Sequence, residues 1–355
     1  MVSQHGKLQG WLRIQEMDAL LICKRENVRY FSGFAGSAGV LVVTESQRKL
    51  FTDFRYIEQA TETAPDFQVV RSNKLPLDAA AEFLASPEYH RIGFEGEFLT
   101  VAEFNRLTDK ISQERWSSAS LDGLRAVKTS KEIEKITEAA MVTDVAFQKV
   151  LPLIRPGIKE SDIAAALEYE MRKRGSEKPS FDTIVASGLR AALPHGVASD
   201  RTLAAGDFVV VDFGAVCEGY HSDMTRTVCV GTATERQRQV YDTVLRAQMT
   251  GLAAVRSGAL CREVDQAGRK IIEEAGYGDY FGHGLGHCVG LAIHENPRLS
   301  MLAGEARLEA GMVVTVEPGI YLPGWGGVRI EDLIVVTEDG CRILSQTDKG
   351  LLELG

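Results

Sequence analysis

Two segments of this 355-residue sequence have the pattern of apolar β-hairpins with carboxylates inside their strands. The first reads FVVVDFGAVCEGYHSDMTRTVCV (residues 208–230), and the second reads MVVTVEPGIYLPGWGGVRIEDLIVV (residues 312–336). Runs of β-branched residues favour strands, whereas a buried charge is unfavourable unless it is paired or bound to a cation. The two segments therefore predict buried sheets that carry an acidic site.

The spacing of the carboxylates suggests how they meet. If the first turn centres on Cys217–Glu218, Asp212 and Asp223 lie directly opposite each other, with Cβ atoms ~5 Å apart. Glu317 and Glu331 are symmetric about a point inside the Pro/Gly-rich turn of the second segment. Carboxylates this close repel unless they are protonated or bridged by cations. For Asp212 or Asp223 taken singly, the alternative is an aspartate at a strand end that faces water.

Histidines cluster in the same part of the chain. Five of the seven lie within 100 residues, at positions 195, 221, 283, 287 and 294. His283 and His287 are four residues apart, but the glycines of HGLGH disfavour a helix there, so a Gly-rich turn with incidental histidines is the alternative. Four carboxylates with a histidine form an oxygen-rich set suited to two hard or borderline divalent ions, and their four negative charges balance the ions' four positive charges.

The rest of the sequence predicts two domains. Residues 1–120 alternate short strands (19–23, 39–44, 67–71 and 91–94) with helices (78–84 and 101–111), which indicates a small α/β domain. Residues 121–355 begin with a helix whose capping box is formed by Thr129 and Glu132, and continue with helices at 161–174, 235–255 and 262–275 between β-branched strands. The predicted fold class is α+β.

Composition excludes several classes of protein. With 45% hydrophobic and 25% charged residues the chain is an ordinary globular protein, and no apolar run approaches the ~18 residues that a membrane span needs. The formal charge of −9 disfavours nucleic acid as a partner. Residues 1–20 lack the pattern of a signal peptide and the six cysteines form no C-x-x-C, which predicts reduced thiols and a cytoplasmic location.

The motifs resemble those of a known family. VDFGA with Asp212, SDMTRT with Asp223, HGLGH with His287, VEPGIY with Glu317 and RIED with Glu331 are similar, in order and spacing, to the pita-bread metallopeptidases of the prolidase and aminopeptidase P branch. RYFSGFAGSAGVLVVT, followed by LFTDFRYIEQA, resembles the creatinase-like N-terminal domain of that branch. The resemblance spans nearly the whole chain and implies a C-terminal pita-bread domain behind a creatinase-like α/β domain.

The resemblance implies a role for each motif residue. Asp212 and Asp223 would chelate one divalent ion, and Asp223, His287, Glu317 and Glu331 the second, with Mn²⁺ expected and Co²⁺ or Zn²⁺ as alternatives. Glu317 would accept the proton of the attacking water. Four further positions match the family: His195 (ALPHG) and His294 (IHENP) as non-ligand catalytic histidines, His283 as a substrate-pocket residue, and Arg329 beside the glutamate ligand. For His283 and Arg329 the alternative is support of the metal ligands.

The implied activity is that of a Xaa-Pro dipeptidase acting on short proline-containing peptides, and the implied assembly is a homodimer. Proline offers no amide hydrogen, so peptidases that bind that group are disfavoured. The main alternative is aminopeptidase P, which accepts longer peptides. Methionine aminopeptidase lacks a domain like residues 1–115, and metal-free creatinases or non-enzymatic binding modules with this fold typically lose the ligands that are all present here.

Overall fold

The computed structural model describes residues 4–355, so the first three residues of the predicted N-terminal domain lie outside the described part of the chain. The chain forms two compact units, residues 1–125 and residues 126–355.

The first unit is built on a mixed six-stranded sheet. In spatial order its strands are Gln68–Arg71, Arg48–Thr52, Gly39–Thr44, Ala19–Ile22, Ile92–Phe94 and Trp116–Ser118. Its helices are Gln4–Ile14, Arg25–Ser32, Ile57–Thr63, Pro76–Leu84 and Val101–Thr108. The four predicted strands and both predicted helices are present, and the unit is α/β as predicted.

The second unit contains four long helices and two principal sheets. The helices are Ser130–Val150, Glu160–Lys173, Glu235–Ala254 and Cys261–Glu274, and the first has the predicted capping box, with Glu132 bonded to the Thr129 backbone N–H. The four-stranded sheet has the order Leu352–Leu354, Met224–Val230, Phe208–Phe213, Ile184–Ser187. The five-stranded sheet has the order Glu295–Leu299, Gly286–Cys288, Val313–Val316, Asp332–Val336, Cys341–Ile343. Short ribbons pair Val216–Cys217 with Tyr220–His221 and Gly319–Leu322 with Gly326–Arg329.

The strand Phe208–Phe213 separates two hydrophobic clusters. Phe208 and Val210 belong to the cluster formed with the five-stranded sheet and the helices Glu235–Ala254 and Cys261–Glu274. Val209, Val211 and Phe213 belong to the cluster formed with the two preceding helices. Because side chains alternate along a strand, Asp212 shares the face of Val210 and is directed toward the five-stranded sheet.

The register of the first hairpin differs from the prediction. Asp212 pairs with Thr225 rather than with Asp223, so the predicted direct opposition of the two aspartates is wrong. The turn centres on Glu218 and Gly219, which have φ values of 45° and 78°. A two-residue turn with positive φ at both positions is the form that fits the twist of a hairpin, and it favours glycine at the second position. Because the turn is shifted by one residue, the partner of Asp212 moves by two residues, from Asp223 to Thr225. Side chains two residues apart on a strand lie on the same face, so Asp223 stays on the face that carries Asp212.

The register of the second hairpin is as predicted. Gly319 pairs with Arg329, and Val316 pairs with Asp332. The same register places Glu317 opposite Glu331, symmetric about Gly324, whose φ of 76° lies in the left-handed region. In the described part of the chain, no helix combines the length and the apolar character needed to cross a bilayer.

Gly214 occupies the position opposite Asp223 in the first hairpin, and we expect any side chain there to destabilise the protein. A Cβ there would lie 2.0 Å from the Ser222 carbonyl oxygen and 2.7 Å from the Ser180 Cβ. Gly214→Ala should destabilise the protein by about 1–3 kcal/mol, because the hairpin must open to admit the methyl group. Gly340→Ala is the matched control, since no atom lies within 4 Å of its Cβ position. Urea denaturation of both variants measures the difference, and equal midpoints would contradict this account.

Candidate metal centre

The facing sides of the two sheets bring the five predicted ligands together. Asp212, Asp223, His287 and Glu331 are buried, and Glu317 is partly buried. Carboxylate oxygens of Asp212, Asp223 and Glu331 all lie within 4.8 Å of one another. Asp212 lies in the four-stranded sheet and Asp223 immediately precedes its strand Met224–Val230. His287 lies in the five-stranded sheet, Glu317 directly follows its strand Val313–Val316, and Glu331 directly precedes its strand Asp332–Val336.

His287 presents one ring nitrogen to the carboxylates. Its Nε2 lies 3.4 Å from Glu317 Oε1 and 3.6 Å from Asp223 Oδ2. Its Nδ1 donates to the Cys288 carbonyl oxygen at 3.1 Å, which leaves Nε2 with its lone pair free of a proton in the neutral ring. Burial, reinforced by His294, lowers the pKa of His287 to about 3. The ring is therefore neutral at physiological pH and suited to bind a cation.

Two threonine hydroxyls orient the glutamates. Thr225 Oγ1 donates to Glu331 Oε2 at 2.6 Å, and Thr315 Oγ1 donates to Glu317 Oε1 at 3.0 Å. Thr315 Oγ1 also accepts the backbone N–H of His287 at 3.0 Å. These threonines were not assigned from the sequence, although each lies two residues from a ligand on the same strand face.

The carboxylates are electrostatically strained in the protein without cations. Burial and the neighbouring Glu331 raise the pKa of Asp223 well above its ordinary value, and burial with Glu317 does the same to the pKa of Glu331. Burial raises the pKa of Glu317 to about 7. The site therefore retains protons unless cations replace them.

Two carboxylate oxygens lack any partner. Asp212 Oδ1 and Glu331 Oε1 are buried and accept no hydrogen bond in the described structure. Buried polar atoms are nearly always satisfied, so a pair of orphaned oxygens in one acidic cluster requires an explanation. Together with an imidazole nitrogen they match the donor set of borderline divalent cations, and the residues present fit such ions.

Arg329 is bound to the site by several contacts. Its Nη2 donates to Asp212 Oδ2 at 2.6 Å, its Nε donates to Thr225 Oγ1 at 3.1 Å, and its Nη1 donates to the Tyr321 hydroxyl at 2.8 Å. Both side chains of the Arg329–Asp212 ion pair are largely buried. One of the four negative charges is thus already balanced by the protein.

Tyr321 links the two positions predicted to contact substrate. The Tyr321 hydroxyl accepts a hydrogen bond from Arg329. His283 Nδ1 donates to the Gly284 carbonyl oxygen at 2.8 Å, so in the neutral ring His283 Nε2 is an acceptor, and the Tyr321 hydroxyl donates to it at 2.9 Å. Burial raises the pKa of Tyr321 to about 12 and lowers the pKa of His283 to about 4, so both groups are neutral. Tyr321 was not predicted as a site residue, although it lies in VEPGIY four residues after Glu317, on the same strand face as Arg329.

A cavity of about 620 Å³ opens beside the cluster. Its lining includes all of the predicted site residues together with Phe181, Ile184, Val197, Ile293 and Arg298. His195 and His294 are exposed to it, and the His294 ring lies 4.4 Å from the His287 ring, centroid to centroid. The cavity brings together the predicted ligands and the predicted non-ligand histidines.

A buried ion pair holds the segment that carries His294. Lys128 Nζ lies 3.0 Å from Glu295 Oε2, with the two side chains 1% and 2% exposed. Glu295 Oε1 also accepts the backbone N–H of Ala292 at 3.1 Å. Lys128 lies two residues before the first helix of the second unit, so the start of that unit is joined directly to the His294 loop.

Comparison with known proteins gives consistent matches along the chain. Residues 134–338 match the family described as metallopeptidase family M24, and residues 4–127 match the creatinase/prolidase N-terminal domain. A curated Xaa-Pro dipeptidase of Pyrococcus furiosus is 42% identical over 364 residues, which cover 99% of this chain and 100% of that protein.

Solved structures give the same result. A structure described as Xaa-Pro dipeptidase from Bacillus anthracis matches with a TM-score of 0.95 at 42% identity, covering 99% of both chains. A structure described as X-Pro aminopeptidase from Thermotoga maritima matches with a TM-score of 0.88 at 38% identity, covering 96% of this chain and 99% of that one.

We expect chelation to destabilise the protein more at pH 7.5 than at pH 5. Without cations the folded protein holds the Glu317 proton up to about pH 7, whereas an ordinary glutamate in the unfolded chain has lost it above about pH 4.5. The contribution of Glu317 to stability is therefore present below about pH 4.5 and is lost as the pH rises toward 7. Bound cations add about 2.7 kcal/mol when their free concentration is 100 times the dissociation constant. Melting curves of metal-loaded and chelated protein at both pH values test this, and coincident curves at pH 7.5 would contradict it.

Two matched substitutions should change the stability of the chelated protein in opposite directions. Asp223→Asn removes a carboxyl group whose ionisation is opposed by burial and by Glu331, Asp212 and Glu317 more than it is favoured by Arg329, so it should raise the melting temperature at pH 7.5. Asp212→Asn leaves the buried Arg329 without its anionic partner, so it should destabilise by about 3 kcal/mol. Thermal melts in chelator measure both, and a stabilising Asp212→Asn would refute the assigned role of the ion pair.

Proposed function

Since this chain belongs to metallopeptidase family M24, we propose that it is a Xaa-Pro dipeptidase (prolidase) that hydrolyses the peptide bond before proline in dipeptides. The α+β fold class, a pita-bread domain behind a creatinase-like domain, is confirmed by the same matches. The observation that carries the proposal is the convergence of five ligand-type side chains on one cavity with two orphaned carboxylate oxygens. The full-length similarity to proteins named Xaa-Pro dipeptidase supports the substrate class. We assign the catalytic domain to residues 121–355 and the creatinase-like domain to residues 1–120.

Five side chains would hold two divalent ions: Asp212, Asp223, His287, Glu317 and Glu331. The orphaned oxygens of Asp212 and Glu331 and the Nε2 of His287 support this assignment. When bound, such ions polarise the scissile carbonyl and activate a water molecule. Mn²⁺ remains the expected ion, with Co²⁺ and Zn²⁺ as alternatives, and a cytoplasmic homodimer remains the expected form of the protein.

Glu317 is the proposed acceptor of the water proton. Its Oε1 is engaged by the Thr315 hydroxyl, so the proton would be taken by Oε2. The carboxylate lies at the wall of the cavity, within reach of a bound peptide, and its exposure is intermediate. A carboxylate in this position can take a proton from the water and return it to the leaving proline nitrogen.

His195 and His294 would hold the substrate. Both face the cavity from loops, so they can donate hydrogen bonds to the carbonyl oxygen as negative charge develops on it. His283 and Arg329, predicted as substrate-binding residues, act in this proposal through Tyr321 and Asp212: their hydrogen bonds fix the Asp212 carboxylate. This favours the alternative considered for these two positions, support of the metal ligands.

Arg298 supports a preference for dipeptides over longer peptides. Two arginines line the cavity, and Arg329 is committed to Asp212. Arg298 is exposed, lines the cavity and pairs in register with His287, so it lies opposite a ligand on the neighbouring strand. In a Xaa-Pro dipeptide the proline carboxylate is one residue from the scissile bond, and a guanidinium is the natural partner of a carboxylate. The proposed role of Arg298 is to bind that terminal group.

Hydrolysis of Ala-Pro and Ala-Pro-Ala by the Mn²⁺-loaded protein tests the proposal. We expect Ala-Pro to be the better substrate. Arg298→Ala should raise the KM for Ala-Pro about tenfold or more, since a hydrogen-bonded ion pair is lost, and should leave the KM for Ala-Pro-Ala nearly unchanged. Arg298→Lys, which keeps the charge, is the matched control and should lose less.

The possible results separate the two candidate activities. A higher kcat/KM for Ala-Pro-Ala than for Ala-Pro would favour the aminopeptidase P alternative. The similarity to the X-Pro aminopeptidase of Thermotoga maritima is consistent with that alternative. No hydrolysis of either peptide by protein shown to contain metal would overturn the proposed function.

A further inference from the structure

Glu160 is a fully buried carboxylate whose hydrogen bonds are directed away from its own helix. It is the first residue of the helix Glu160–Lys173 and is 0% exposed. Oε1 accepts from Ser187 N at 2.7 Å and Ser187 Oγ at 2.6 Å, and Oε2 accepts from Ser199 N at 3.1 Å and Ser199 Oγ at 2.6 Å. Arg190 Nη1 donates to Oε2 as the fifth donor.

All five donors belong to residues 187–199, the loop that carries His195. Ser187 ends the strand that leads into the loop, and Ser199 lies beyond its last cavity-lining residue, Val197. One carboxylate therefore joins both ends of the loop. Arg190 also forms a hydrogen bond within the loop, since its Nη2 donates to the Val197 carbonyl oxygen at 2.8 Å.

The loop is also tied to the ligand cluster. Arg329, which binds Asp212, donates from Nη1 to the Pro194 carbonyl oxygen at 3.1 Å. Pro194 immediately precedes His195. The backbone that carries the His195 ring is thus fixed from two sides, by Glu160 at its ends and by Arg329 beside the ring.

Anchoring of the helix does not require the carboxylate. The backbone N–H groups of Glu160 and Ser161 already donate to the carbonyl oxygens of Arg201 and Ser199, both at 3.0 Å. The side chain adds the connection between Ser187 and Ser199 and the neutralising contact with Arg190. Burying a carboxylate is unfavourable unless it is paired and fully hydrogen-bonded, and here the compensating groups all come from the loop.

We propose that Glu160 is a positioning residue that sets the place of His195 in the cavity. The inference rests on the proposed function, in which His195 contacts the substrate. His195 is exposed to the cavity, so the backbone of its loop determines where its ring lies. Loosening the two ends of the loop would move the ring away from the developing charge while leaving the five ligand side chains in place.

A double-mutant cycle on the Mn²⁺-loaded full chain tests this proposal with Ala-Pro as substrate. Glu160→Gln should lower kcat on the order of tenfold, because small displacements of a catalytic group are sufficient for such losses. The metal content should stay unchanged and KM should change little. In a His195→Ala background, Glu160→Gln should have no further effect on kcat, since the group that it positions is already absent.

The controls separate positioning from general damage to the fold. Asp162→Asn removes an exposed acidic charge from the first turn of the same helix and should leave kcat unchanged. Arg190→Ala should lower kcat in the same non-additive way if Glu160→Gln does not fold, and Arg190→Lys should recover part of the loss. Multiplicative losses in either double mutant, or loss of metal in Glu160→Gln, would overturn the positioning role. Full activity of His195→Ala would instead refute the role of His195 in the proposed function.

Discussion

The burial of four carboxylates between two sheets is the constraint on which the rest of the catalytic unit depends. Asp212, Asp223 and Glu331 are buried and Glu317 is partly buried, all four carboxylates line the cavity, and one of their charges is balanced by Arg329. The remaining charge must be met by protons or by cations. Several neighbouring groups fix the carboxylates where a cation can reach them. They are the two threonine hydroxyls, the neutral His287, and the series of hydrogen bonds from Arg329 through Tyr321 to His283.

Strand alternation is what makes this arrangement possible. On the strand Phe208–Phe213 the odd-numbered side chains pack on one helical layer, and the even-numbered ones face the second sheet. In the second sheet Val314 and Val316 face the hydrophobic cluster, so Thr315 and Glu317 face the opposite way. On Phe208–Phe213 both faces are apolar, and Asp212 is the acidic residue near the end of the face that is directed toward the second sheet, whereas on Val313–Val316 the apolar and polar side chains lie on opposite faces.

Much of this could be predicted from the sequence, because the signals are local. Apolar periodicity and the capping box located the long helices to within a few residues, and the midpoint of Glu317 and Glu331 gave the correct register of the second hairpin. The first hairpin was shifted because Glu218–Gly219 forms the turn, and the choice between adjacent turn positions depends on backbone dihedrals. The contact of Tyr321 with His283, 38 residues away, and the contacts of Glu160 with Ser187 and Ser199 could not be predicted, because these partners are distant in sequence. No periodicity relates Glu160 to Ser187 and Ser199, and only the folded chain brings them together.

The pair formed by Lys128 and Glu295 affects how this protein can be divided. Lys128 lies three residues past Arg125, the last residue of the first compact unit, yet its ammonium group neutralises a carboxylate next to His294. A recombinant fragment that begins at the helix Ser130–Val150 would contain every ligand and every histidine of the cavity, but it would leave Glu295 as a buried anion without its cation. The cut that preserves the His294 loop must therefore fall before Lys128, and a fragment that starts at residue 121, the predicted start of the catalytic domain, keeps this ion pair.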